Sequence, residues 1–205
     1  MMARPRNFDE DSVLHAVAEA FWTHGYDGTS TRDLVQYTGL TQPSLYNAFG
    51  DKRALFLRAL DHYLEHTLRE RINRLQSTMT PDRAISAFFR EVVERSVSDE
   101  HRRGCMLVNA ALGASPEDEA FRELIAEEMS LMRAFFERCL KAGFKSGEIE
   151  RVMPADAAAT NLLAVLLGVR VLARVDPKPA LLIGAVAPTL AMLKLPPLGL
   201  SVGKR

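Results

Sequence analysis

Residues 29–52 read TSTRDLVQYTGLTQPSLYNAFGDK. The stretch divides into a short helix, a tight turn and a second short helix. Ser30 is placed to cap the first, with Asp33 three residues on, the spacing of a capping box built with the shorter acid. Leu34 and Val35 supply its apolar positions. Gly39 ends it, since glycine accepts the left-handed backbone of a helix C-terminus. Gln42-Pro43 opens the second helix, with Pro43 in the first turn, where its missing N–H costs nothing. Gly50 closes that helix. Two helices joined by a Gly-containing turn of this length predict a helix-turn-helix.

The second helix has two unlike sides. At about 100° per residue, Leu45, Ala48 and Phe49 fall on one and Gln42, Pro43, Tyr46 and Asn47 on the other. The first set is core. The second offers amides that can pair bidentately with adenine, an apolar proline edge for a thymine methyl, and a tyrosine that can reach a phosphate. An ordinary solvated face would carry Lys, Glu and Arg, and this one carries none.

The runs GTSTRDL and TGLTQPSLYNAFGDKRALF resemble the DNA-binding domain of the TetR family of bacterial transcriptional repressors. The likeness covers about the first sixty residues and is strongest in the helix-turn-helix and in the spacing of Tyr46, Phe49 and Lys52. It implies a dimeric regulator. It also implies that Thr31, Arg32, Pro43, Ser44 and Lys52, at matching positions, join Gln42, Tyr46 and Asn47 in contacting double-stranded operator DNA.

Charge adds a qualification. Lys and Arg together equal Asp and Glu, 26 of each, and residues 1–76 hold nine basic against ten acidic side chains. With no global positive field, non-specific DNA binding is expected to be modest. Phosphate contact rests on a local stripe of Arg32, Lys52 and Arg53, with Arg4 and Arg6 on an N-terminal arm. Residues 1–7 are polar and run directly into an acidic helix start, unlike a secretory signal. The longest apolar run, near Leu162–Val169, is stopped by Arg170 and is short for a bilayer. Two distant cysteines make neither a disulfide framework nor a zinc site. A reducing cytoplasm is the expected compartment, with no membrane partner.

Along the chain, Asp9 starts a first helix with Leu14, Val17 and Phe21 on its core face, and Gly25 stops it. Asp51 caps a long fourth helix running through DKRALFLRALDHYLEHTLRERINRL. Ser77–Pro81 reads as a boundary. Helices are expected over Asp82–Ser98, in CMLVNAALG, from Pro116 through Leu140, over Ala157–Val175, and from Leu181 to Leu193 with an interruption at Pro188. Gly143–Gly147 reads as loop and the tail after Pro196 as frayed. No strand alternation occurs. The expected fold is all-α: a helix-turn-helix domain over 1–50, a linking helix over 51–76, and an effector-binding and dimerisation bundle over 77–205.

An almost uniformly apolar helix must be buried on every side, and a bundle this small cannot hide both of its last two. A second copy packed on the same pair solves this with a four-helix isologous interface. Ala164 and Gly168 would permit close approach, with Leu167, Val171, Val186 and Leu190 beside them. The family resemblance implies the same helices. An effector pocket is expected among Phe88, Cys105, Met106, Asn109, Met132, Phe136 and Asn161, although Met and aromatics at this spacing also make plain core. Asn109 and Asn161 need partners, which a ligand or backbone can supply.

No catalytic constellation, P-loop or Rossmann glycine pattern occurs, so neither enzyme activity nor a cofactor is expected. His62 and His66 stand i, i+4, but HYLEH lacks the metalloprotease order. A solvated face, and no metal, is the expectation there. Cys105 follows His101, Arg102, Arg103 and Gly104 and begins a helix, surroundings that favour a reactive thiolate; an inert small apolar residue is the competing reading. Three functions stay open on sequence: a ligand- or electrophile-responsive dimeric repressor, a thiol-based redox protein or enzyme centred on Cys105, and a helical interaction module.

Overall fold

The computed structural model describes residues 8–115 and 117–200. The arm carrying Arg4 and Arg6, and the helix start expected at Pro116, lie outside the described residues. Among those described there is no strand, and the helices form two compact units, Met1–Arg69 and Glu70–Arg205.

The first unit contains α1 (Glu10–Gly28), α2 (Thr31–Thr38), α3 (Gln42–Phe49), α4 (Lys52–Leu64) and a π-helical turn, Glu65–Arg69. Asp9 caps α1 by accepting from the Ser12 amide at 3.2 Å. Helical geometry breaks at Gly25, where φ is +76°, and resumes for one turn. Val13, Leu14, Val17 and Phe21 of α1 are buried against α4, which turns Leu55, Phe56, Ala59 and Leu60 inward. Phe21 meets Phe56 edge-on at 4.9 Å. Each fully buried side chain of this kind contributes about 1.5–3 kcal/mol, so this seam holds the smaller α2 and α3 in place. The fourth helix is not continuous as expected: after Leu64 it widens into the π-helical turn Glu65–Arg69.

The second unit contains α5 (Glu70–Thr78), α6 (Pro81–Ser98), α7 (Met106–Gly113), α8 (Glu119–Ser146), α9 (Ala155–Val175) and α10 (Pro179–Met192). Its core is a ring cluster. Phe89 of α6 stacks on Phe136 of α8 at 5.5 Å, and Phe88 meets the same ring edge-on at 5.4 Å. Such pairs contribute about 0.5–1.5 kcal/mol beyond area burial. Arg71, buried, lies over the Phe88 ring and pairs with Glu91 at 3.1 Å, and Arg74 holds the same carboxylate at 2.7 Å.

Three expectations change here. Helix α8 runs on through the proposed loop to Ser146, and Gly147 is its left-handed cap. Gly143 is therefore helix interior, chosen for space: a Cβ there would lie 2.4 Å from Ile149 Cδ1 and 3.0 Å from its Cβ. Because Ile149 is itself buried, Gly143→Ala is expected to destabilise by about 1–3 kcal/mol through overpacking, despite alanine's better helix propensity. Urea unfolding checks the sign. Helix α10 continues through Pro188 to Met192. The tail after Pro196 is not frayed where described: Leu198 is buried, and just ahead of it Leu193 and Leu195 are buried and the Pro196 carbonyl accepts from Ser86 Oγ at 2.6 Å.

Candidate nucleic-acid interface and effector region

In the first unit both halves of the capping box at the start of α2 are formed. Ser30 Oγ accepts from the Asp33 amide at 3.2 Å, and the Asp33 carboxylate accepts from the Ser30 amide at 2.7 Å. The Ser30 hydroxyl and amide hold Asp33 below the usual carboxylate range. A lowered acid pKa means this cap's contribution is present above the normal Asp range and lost as pH falls through the folded value. Gly39 takes φ +68°, which makes the turn.

Helix α3 is capped by Thr41, whose side chain accepts from the Ser44 amide at 3.3 Å and lies 2.9 Å from Ser44 Oγ. Leu45 and Phe49 are buried, and Gln42, Pro43, Ser44 and Asn47 are exposed together. Tyr46, half-buried, shares a hydrogen bond of 2.8 Å with Thr31 Oγ1. That bond fixes the ring's direction and ties α3 to the first turn of α2. Arg32 is exposed beside it. Lys52, at the first position of α4, has its ammonium 4.6 Å from the centre of the Tyr26 ring.

All eight residues thus lie on or beside the helix-turn-helix. Sequence reasoning passed over Thr41, though a Thr three residues ahead of Ser44 is a readable cap pattern. It also passed over Tyr26 and the Tyr37–His24 pair, joined at 3.2 Å. Those contacts span 26 and 13 residues and leave no local signal.

In the second unit Phe88, Met106, Met132 and Phe136 are buried. Cys105, half-buried, is the residue preceding the first turn of α7. The loop before it is tightly held. The Asp99 carboxylate accepts from the Arg103 amide at 2.6 Å and from its guanidinium at 3.1 Å. Asn109 Nδ2 donates to the Arg103 carbonyl at 2.8 Å, so the partner this residue needs is backbone. Gly104 has φ +72°, and a Cβ there would come within 3.3 Å of the Arg170 carbonyl oxygen on α9. Cys139 is buried in α8, and burial pushes its thiol up to about 11, with Arg138 opposing weakly.

Asn161 does not join this group: it is exposed on α9. The expected dimer residues also divide. Ala164, Gly168 and Val171 are exposed and Leu167 is half-buried, whereas Val186 and Leu190 are 0 % and 1 % exposed within the single chain. Those two serve the unit's own core because helical periodicity turns them toward α6 and α9. The outward side of α10 is instead Leu181, Gly184, Ala187, Ala191 and Met192. Helix α9 is long and apolar enough to cross a membrane by length and composition, but Ala158, Leu162, Leu166 and Val169 are packed inside the unit.

The family model for bacterial regulatory proteins of the tetR family matches residues 13–59, and that for the tetracyclin repressor-like C-terminal domain matches residues 81–187. An uncharacterized HTH-type transcriptional regulator of Bacillus subtilis (strain 168), YezE, is 35% identical over 142 residues, 69% of this chain and 73% of that protein. The HTH-type transcriptional repressor ComR of Escherichia coli (strain K12) is 26% identical over 172 residues, 83% of this chain and 82% of that one. Among solved structures, a cysteine-substituted form of the transcriptional regulator CifR, complexed with 26 bp double-strand operator DNA, superposes with TM-score 0.81 at 34% identity. It covers 92% of this chain and 98% of that one.

Proposed function

Since the chain belongs to the TetR family of bacterial transcriptional regulators, we propose that it is a homodimeric, non-enzymatic repressor acting in the cytoplasm, released from a palindromic operator by a small molecule or electrophile. In this reading residues 1–50 bind DNA, 51–76 link, and 77–205 bind effector and dimerise. The observation that carries it is the division of α3: its apolar residues are inside, and Gln42, Pro43, Ser44 and Asn47 are together outside. Gln42 and Asn47 read base edges, and Arg32 and Lys52 contact phosphates. Tyr46 and Thr31 brace each other at that surface. The relative CifR has been captured on operator DNA, and the same partner class is assigned here. An electrophoretic shift with DNA from upstream of the protein's own coding sequence tests the reading. Retardation that survives excess random competitor supports it, and no sequence-preferring shift at low salt overturns it.

The effector enters the second unit near α6, α7 and α8, where Phe88, Met106, Met132 and Phe136 supply apolar wall and Asn109 holds the Cys105 loop. Cys105 is the route for an electrophile, being half-buried where Cys139 is fully buried with a raised pKa. A mild alkylating reagent is expected to modify Cys105 before Cys139 and to release DNA, while Cys105→Ser binds DNA and ignores the reagent. Intact-mass labelling of the folded protein, followed by peptide mapping, checks the order. Equal labelling rates, or release of Cys105→Ser by the same reagent, would remove the thiol from the mechanism.

A further inference from the structure

On sequence, His62 and His66 read as a solvated face, but the fold brings a carboxylate to them from another helix. Asp11, in the first turn of α1, has Oδ1 3.3 Å from His62 Nδ1 and 3.8 Å from His66 Nε2. The three side chains each offer one ligand atom, all within 4.8 Å of one another. We propose that Asp11, His62 and His66 form a site for one divalent transition-metal ion of the zinc class, clamping the start of α1 to the end of α4 and the π-helical turn.

Donor chemistry selects the class. Two imidazoles and one carboxylate suit zinc and its neighbours, whereas magnesium and calcium take oxygen-only shells. Ligand atoms around a tetrahedral ion at bond lengths near 2.1 Å stand about 3.4 Å apart. The Asp11–His62 separation already meets that spacing, and a bound ion would draw in the exposed His66, whose Nε2 lies 3.8 Å from the Asp11 carboxylate. Two helical ligands at i, i+4 with a third from a neighbouring helix leave a fourth position for water. The His62 side chain is 9% exposed and anchored, while His66 and Asp11 are 47% and 72% exposed and leave an entry path. His15 of α1 stands edge-on to the His62 ring at 6.2 Å. The neighbouring Asp61 is engaged by Arg69 at 2.8 Å and does not compete. His66 also belongs to the π-helical turn, a geometry that recurs at functional sites. An ion here would stiffen residues 62–66, just ahead of the boundary between the two units.

The test uses the full chain, tag-free and stripped with chelator. Calorimetric titration with zinc chloride is expected to give one ion per chain, and zinc to raise the unfolding midpoint. Magnesium chloride does neither. His66→Gln and Asp11→Asn, both at exposed positions, keep the helical circular dichroism and weaken zinc binding more than about tenfold, a loss that even outer-shell changes can produce. His101→Gln and Cys105→Ser leave it unchanged. The proposal is overturned if the wild-type chain takes no zinc, if magnesium acts as strongly, or if both site variants bind as the wild type does. Loss of binding in Cys105→Ser would overturn it equally, by placing the ion elsewhere.

Discussion

Gly168→Glu is expected to produce a folded monomer, with light-scattering mass falling from twice to once 22.8 kDa and operator affinity dropping by roughly 10²–10⁴. Gly168 is exposed, and a Cβ built on it meets nothing within 4 Å in the single chain. The isolated subunit therefore tolerates the side chain. In the proposed dimer a second copy packs against the exposed Ala164, Gly168 and Val171 and does not tolerate it, because an unpaired carboxylate would be buried between the two copies. Loss of the dimer separates the two half-site contacts, so linked binding becomes two weak events. Leu166→Glu behaves differently. Leu166 is 3 % exposed within the chain, so that charge enters the unit's own core and is expected to unfold it, with loss of helical circular dichroism. A dimeric Gly168→Glu, or a folded monomeric Leu166→Glu, would refute the assignment of the two sides of α9.

Gln42→Ala is expected to cost about 1–3 kcal/mol per half-site on the operator and little on random DNA. Gln42 is the first residue of α3 and is exposed, held at that end by the Thr41 cap and the neighbouring Pro43. Its amide can read a base edge bidentately, and alanine leaves that edge unread. Lys52→Ala is expected to weaken specific and random DNA alike and to reduce the salt slope by about one unit per half-site. Its ammonium is a point charge steadied by the Tyr26 ring, suited to a phosphate and blind to sequence. Fluorescence anisotropy over a salt series, with operator and random duplexes, separates the two effects. Equal loss from Gln42→Ala on every duplex would show that it does not read bases.

Sequence by itself determined the elements whose causes are local. The capping box at Ser30 and Asp33, the left-handed Gly39, Pro43 in the first turn of α3, and the 3.6-residue spacing of Leu45 and Phe49 all act within one or two helical turns. The helix-turn-helix and its outward polar residues were therefore legible, as was the all-α class. The apolar character of the last two helices was equally plain, but composition cannot say which apolar side faces its own core. Tertiary packing decided that, placing Leu166, Val186 and Leu190 inside and Gly168 and Val171 outside.

The same holds wherever a partner is far along the chain. On local signals Gly143–Gly147 reads as loop, but Ile149 occupies the space a side chain at Gly143 would fill, so this glycine belongs inside α8. The residues after Pro196 read as a frayed tail, but Ser86 holds the Pro196 carbonyl and the core takes in Leu198. The helical reading of His62 and His66 was right as to spacing, yet their chemistry depends on Asp11, about fifty residues earlier. Local spacing sets which side of a helix a residue takes. What meets it there is set by the packing of the other helices, and that information is spread over the whole chain.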